Sequence, residues 1–255
     1  MKTIVPLLLF IFFQSIGFSF ERNNENLIDE YSYYEVEINL AVENQEDAIA
    51  YLLESKTPTD NWLFIYPDKW GVTDIVRNDA FTLWNDLKNV NVLIIDLNDG
   101  IVPSDNTEAM RVLMRNDVER DHLIIESALE FAGENSKIGS LGWCNGGSWS
   151  MQTAIKAKEK EVACVMYYGM PETNTKKLKN LNSDVLAIYG SMDTYITPTI
   201  AKSFKNKMES AGKRVIELTY DGKGEFANRQ SDLYNREYAN NAYSKVIAYL
   251  NEKFE

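Results

Sequence analysis

Acyl transfer by a side-chain nucleophile needs three things: the nucleophile, a base to take its proton, and an acid to orient the base. The sequence offers a nucleophile in a telling setting. Gly142-Trp143-Cys144-Asn145-Gly146-Gly147 follows the short β-type run Ile138–Leu141 and precedes a helical pattern from Ser148 to Lys158. A sharp strand-to-helix turn needs glycine two residues before and two after its apex, because side chains there collide. Such a turn lifts Cys144 above the sheet edge with helix-start N–H groups beneath it, which favours a thiolate. The alternative is a plain strand–glycine–helix turn whose cysteine is only a small apolar residue. Asp193 ends Gly190-Ser191-Met192-Asp193, directly after the apolar run Val185–Tyr189. It is either the acid of a triad or a turn or helix-cap aspartate. The base is missing. The loop after Val215–Tyr220 holds Lys223, Gly224 and Glu225 but no histidine. The chain's one histidine, His122, shares a helical stripe with Val118, Ile125 and Leu129 and reads as a packed or partly exposed helix residue.

These residues require a scaffold that brings strand ends together. Tyr34–Leu40 alternates polar and apolar residues, as a half-buried strand does. Ala48–Leu53 fits a second strand or a helical turn. Trp62–Tyr66, Val90–Asp96, Val162–Tyr168, Val185–Tyr189 and Val215–Tyr220 read as further strands, most of them buried. Helical patterns lie between them at Asp74–Leu87, at Asn106–Ala132 as one or two helices, and at Ile200–Ala211, with a last helix over about Asn235–Lys253. Strands alternating with helices predict right-handed crossovers, a mostly parallel central sheet and helices on both faces. Sites in such sheets form at the carboxyl ends of the strands, where Cys144 and Asp193 stand.

Composition narrows the class. At 255 residues and 45% hydrophobic, the chain has enough apolar residues for one sizeable domain. Its net charge is −12 and no Lys/Arg block occurs, which argues against a nucleic-acid partner. There is no Cys-x-x-Cys, so neither a zinc cage nor another metal site is expected, nor any cofactor. Cys164 lies within an apolar strand and should be a free packing residue. The start, Met1-Lys2 followed by the apolar run Ile4–Phe13 and by Gly17 and Ser19, has the pattern of a secretory signal peptide. We expect residues 1–19 to be the signal, 20–34 a polar tether and 35–255 the catalytic-type domain. Apart from the signal, which an uncleaved anchor would also explain, no stable membrane span is expected, and the domain should act outside the cytoplasm, in the periplasm or secreted. No sequence feature fixes an oligomeric state.

Read along the chain, these segments resemble the dienelactone hydrolase family of the α/β-hydrolase superfamily, over roughly residues 35–254. Tyr66-Pro67-Asp68-Lys69-Trp70-Gly71, Asp96-Leu97-Asn98-Asp99-Gly100, the Cys144 turn, Tyr168-Gly169-Met170-Pro171, Gly190–Asp193 and Phe226-Ala227-Asn228 occur in the family's order and spacing. The resemblance implies an α/β-hydrolase fold and hydrolysis of a small ester or lactone. It implies Cys144 as nucleophile, Asp193 as triad acid, the N–H groups of Lys69 and Asn145 as oxyanion hole, and Asp68 as the acid that meets the resting thiol. Two family features are absent. The triad histidine falls on Gly224, and the arginines that hold the dienelactone carboxylate fall on Gly100 and Asn228, with Arg229 adjacent.

The lost histidine has a calculable price. At ordinary pKa values, passing the cysteine proton to histidine costs about 2.7 kcal/mol and to a glutamate about 5.7 kcal/mol. Glu225, if desolvated, or Lys223, if buried, are the candidate substitute bases. Two readings follow. One is an extracytoplasmic cysteine hydrolase of small esters or lactones with weak or rewired catalysis. The other is a non-catalytic descendant that binds a ligand or partner in the same pocket.

Overall fold

The computed structural model describes residues 34–115 and 117–255. The expected signal peptide and all of the expected tether except Tyr34 lie outside these residues. Eight strands form one sheet: β1 Glu35–Leu40, β2 Ala48–Leu53, β3 Asn61–Tyr66, β4 Asn91–Ile95, β5 Lys137–Trp143, β6 Glu161–Tyr167, β7 Val185–Gly190 and β8 Val215–Tyr220. Their spatial order is β1-β2-β4-β3-β5-β6-β7-β8. β1 and β2 pair antiparallel, as do β2 and β4, and every later pair is parallel. Seven helices among the described residues link the strands: α1 Asp74–Asp86, α2 Asn106–Arg115, α3 Val118–Ala132, α4 Asn145–Ala157, α5 Thr175–Leu178, α6 Pro198–Ser210 and α7 Arg236–Phe254. The expected α/β-hydrolase architecture, a mostly parallel sheet with helices on both faces, is what the chain adopts.

The central strands are continuous apolar runs because helices cover both of their faces. β4 and β7 are buried along their whole length. One face packs against α1 and α7, through Val76, Phe81, Trp84, Val246 and Leu250. The other packs against α3, α4 and α6, through Ile124, Ala128, Met151, Phe204 and Met208. The edges carry charge: Glu35 of β1 pairs with Arg77, and Glu217 of β8 pairs with Lys205 at 2.8 Å. Charged edges discourage strand pairing with another chain. Helix starts follow from side-chain caps. Thr73 Oγ1 accepts from Val76 N, Thr197 Oγ1 from Ile200 N, and Asn235 Oδ1 from Tyr238 N. Asp117 accepts from Glu119 N and Arg120 N and so starts a new helix, which divides the Asn106–Ala132 stretch into two. Cys164 is a free, fully buried thiol, as its strand position predicts.

One buried acid has a measurable consequence. Asp121 on α3 is almost fully buried, and its Oδ2 has no partner. Burial, with the charges of Asp99 and Asp117, pushes its carboxyl up to about 7. Burial likewise raises Asp68 and Asp79 to about 6. A raised carboxyl holds a proton in the folded state that the unfolded chain gives up, so stability declines as pH rises from the unfolded value through the folded one. His122, lowered first by burial, acts in the opposite sense, but Asp96 and Glu161, also raised by burial, add to the carboxyls it opposes. The melting temperature at pH 5 should therefore exceed that at pH 7.5 by about 5 °C or more. Asp121→Asn should flatten this dependence in calorimetric scans. An unchanged slope would show that Asp121 does not carry the proton.

Candidate active site

β5 ends at Trp143 and α4 begins at Asn145, so a single residue makes the turn. Cys144 has φ 54° and ψ −121°, a strained conformation for a residue with a side chain. Two glycines permit it. A Cβ on Gly142 would lie 2.1 Å from the carbonyl oxygen of Gly146. A Cβ on Gly146 would lie 2.2 Å from the carbonyl oxygens of both Tyr66 and Pro67 at the end of β3. The turn is locked by Cys144 N donating to Tyr167 O at 2.9 Å and Gly147 N donating to Cys144 O at 3.0 Å.

Above this turn is a cavity of about 440 Å³. Cys144, Asn145, Lys69, Asp193, Lys223 and Glu225 all line it. Among the described residues the Lys69 N–H donates to no backbone carbonyl, and the Asn145 N–H lies within reach of the Cys144 sulfur. Lys69 and Asn145 therefore line the same cavity as the sulfur, and the Asn145 amide is the one that reaches it.

Asp193 is buried. Its Oδ1 accepts from Tyr195 N at 2.7 Å and Ile196 N at 3.0 Å, so it also holds its own loop. Its Oδ2 lies 2.5 Å from where a Cβ on Gly224 would stand. The acid and the position where the family places its histidine are therefore neighbours, and the carboxylate occupies space that a side chain at 224 would claim. Glu225 sits at φ 59°, and its Oε2 accepts from Ser231 Oγ at 3.0 Å. Asp68 lies beside the cavity rather than in its lining. Its Oδ1 accepts from Trp70 N at 2.9 Å and its Oδ2 from Asn228 Nδ2 at 2.8 Å. Burial raises Asp68 to about 6, the Trp70 amide partly offsets this, and the Glu225 charge adds to it.

The surroundings disfavour the expected thiolate. Burial pushes the Cys144 thiol up to about 11. The Asn145 amide and Lys69 pull the other way, but the carboxylates of Asp68 and Glu225 side with burial. Desolvating a sulfur next to two acids outweighs one helix-start amide.

Arg229 does not turn into this cavity. It pairs with Asp79 at 2.7 Å and lines a separate hollow behind Trp143. His122 packs edge-on against Trp149, with ring centroids 5.3 Å apart, and does not line the cavity either. Several lining residues had no role assigned from the sequence, Tyr168 among them. Tyr168, just past the end of β6, has φ 40°, is buried, and its hydroxyl has no partner. Its place at a parallel-strand carboxyl end was the available signal. Among the described residues no cluster of His, Cys, Asp or Glu is placed to hold a metal.

Known proteins share sequence and fold with this chain. The chain is 24% identical over 157 residues to protein usf of Aquifex pyrophilus, covering 59% of this chain and 68% of that one. Its fold is similar to a dienelactone hydrolase-like promiscuous phosphotriesterase from metagenomic libraries, with TM-score 0.76, 15% identity and coverage of 87% of this chain and 98% of that one. It is also similar to the dienelactone hydrolase of Anabaena variabilis, with TM-score 0.60, 17% identity, and 87% and 98% coverage. Residues 49–254 match the dienelactone hydrolase family as a whole. With the cysteine turn, the buried acid after β7 and the fold all in that family's order, the chain belongs to the dienelactone hydrolase family.

Proposed function

We propose that this protein is an extracytoplasmic hydrolase of small esters or lactones that uses Cys144 as its nucleophile and lacks a triad histidine. The observation that supports the reading is the shared cavity: a cysteine on a strained turn, with Lys69, Asn145 and Asp193 among the residues that line the same space. The Cys144 sulfur attacks the ester carbonyl carbon, the Lys69 and Asn145 amides hold the oxyanion, and the alcohol leaves with a proton. Water then opens the thioester, releasing the acid and restoring the thiol. The signal-like segment at residues 1–19 supports export, and no helix of the described residues is long and apolar enough to cross a membrane.

For the base, we favour Asp68 over Glu225 and Lys223. At about 6 its pKa is close to that of an imidazole, and its charge already bears on the thiol. Moving a proton from a thiol at about 11 to a carboxylate at about 6 costs at most about 7 kcal/mol, since protonating Asp68 also removes a charge that opposes the thiolate. That is a slow enzyme, not an inert one. With Asp68 as base, kcat/KM rises with pH through about 6 and then levels. Asp68→Asn should lower kcat/KM by about 100-fold and remove that rising limb. A limb that survives the substitution would move the role to Glu225 or Lys223.

The second reading, a ligand-binding descendant, draws on Gly224 and on the protonated thiol. Hydrolysis of 4-nitrophenyl acetate by the wild-type and Cys144→Ala proteins, side by side, separates the two. Equal rates would overturn the cysteine hydrolase.

A further inference from the structure

The cavity mouth is built from four separate segments, and each contributes an exposed apolar side chain. Met110 comes from α2, Met170 follows β6, Tyr195 follows β7, and Leu233 precedes α7. They are 40%, 38%, 64% and 40% exposed, respectively. Single exposed apolar residues are ordinary, but four that converge on one opening mark a surface that a ligand covers. The charges that line the cavity sum to zero, so an anion gains no net attraction there. The lining holds no arginine, and Lys69 and Lys223 are balanced by Asp193 and Glu225, with Asp68 close behind. The fully buried polar atoms left without partners in the cavity are neutral: the Tyr168 hydroxyl and Asn145 Oδ1. Buried polar atoms without partners are costly, and a bound ligand is what satisfies them.

Resting on the hydrolase reading above, we infer that the cavity selects uncharged esters with an apolar acyl chain and discriminates against esters bearing a carboxylate. The chain lies against Met110, Met170 and Leu233, and the Tyr168 hydroxyl donates to an ester oxygen. A carboxylate in the same place loses its water, meets an apolar rim and finds no guanidinium.

The test uses two esters of equal chain length, 4-nitrophenyl hexanoate and the mono-4-nitrophenyl ester of adipic acid, with 4-nitrophenyl acetate as the short reference. Dissociation constants measured by calorimetry on Cys144→Ala need no turnover, so they report on selection even if the hydrolase reading fails. The hexanoate should bind at least about tenfold more tightly than either the adipate monoester or the acetate. Met110→Arg should narrow the gap between hexanoate and adipate to less than about threefold, by placing a cation at the rim. Tyr168→Phe should weaken hexanoate binding about threefold to tenfold without changing the discrimination. Equal binding of the two six-carbon esters, a preference for the adipate, or a gap that Met110→Arg leaves untouched would overturn the inference. A preference for hexanoate without turnover by the wild-type protein would leave selection standing and reject the hydrolase.

Discussion

Cys144→Ala is expected to lower kcat/KM for an activated aryl ester by at least about 1,000-fold. The thioester intermediate divides the reaction, and no other group in the cavity offers a comparable route. Glu225 is tied to Ser231, and Asp193 is held by two backbone N–H groups. Both face a site in which charge is already disfavoured, as the raised thiol shows. What remains without the sulfur is binding and the two amides, enough for a residual rate above that of water. Stopped-flow release of 4-nitrophenolate checks the value. A loss smaller than about tenfold would show that the cysteine is not the attacking group.

Gly146→Ala should be as damaging to the fold as Cys144→Ala is to the chemistry. The new methyl group would sit 2.2 Å from two carbonyl oxygens, those of Tyr66 and Pro67. Both are main-chain atoms at the end of a buried strand, so no side chain can swing aside. Either β3 moves away from β5 or the turn opens, and each breaks packing in the centre of the sheet. A loss of about 4 kcal/mol or more is expected, with a fall in melting temperature of about 10 °C or more. Gly133→Ala is the contrasting case. Its φ is 90° and its ψ 168°, but a Cβ there meets nothing within 4 Å, so only backbone strain of about 1–3 kcal/mol applies. Urea unfolding of the two variants checks the difference. Similar losses in both would mean that the turn relaxes more readily than its contacts imply.

The ladder of strands was legible because burial on both faces leaves unmistakable apolar runs, as in β3, β4 and β7. The glycine spacing around Cys144 was legible in part for a local reason: a Cβ on Gly142 meets Gly146 four residues on, whereas the collision that bars a side chain at Gly146 is with Tyr66 and Pro67, far away in sequence. The strand order was not, since nothing local states that β4 lies outside β3. The single-turn helix α5 escaped because four residues show no period, although Asn174 caps it. The protonation state of Cys144 was misjudged for a deeper reason. The helix-start amides can be read from the chain, but the burial that defeats them comes from the folded surroundings, and the charges that add to it, Asp68 and Glu225, lie more than seventy positions away. Arg229 was hidden in the same way: its partner, Asp79, sits on a helix that sequence alone does not bring beside it.

Burial of the nucleophile bears on more than rate. Peroxide and other oxidants attack thiolates, and a sulfur kept protonated near neutral pH is a poor target for conversion to sulfenic acid. On the proposed mechanism, surroundings that keep the Cys144 thiol protonated slow its chemistry and shield it from oxidation together, exchanging speed for chemical durability. A low-pKa cysteine on the same turn would react faster and survive less long in oxidising surroundings.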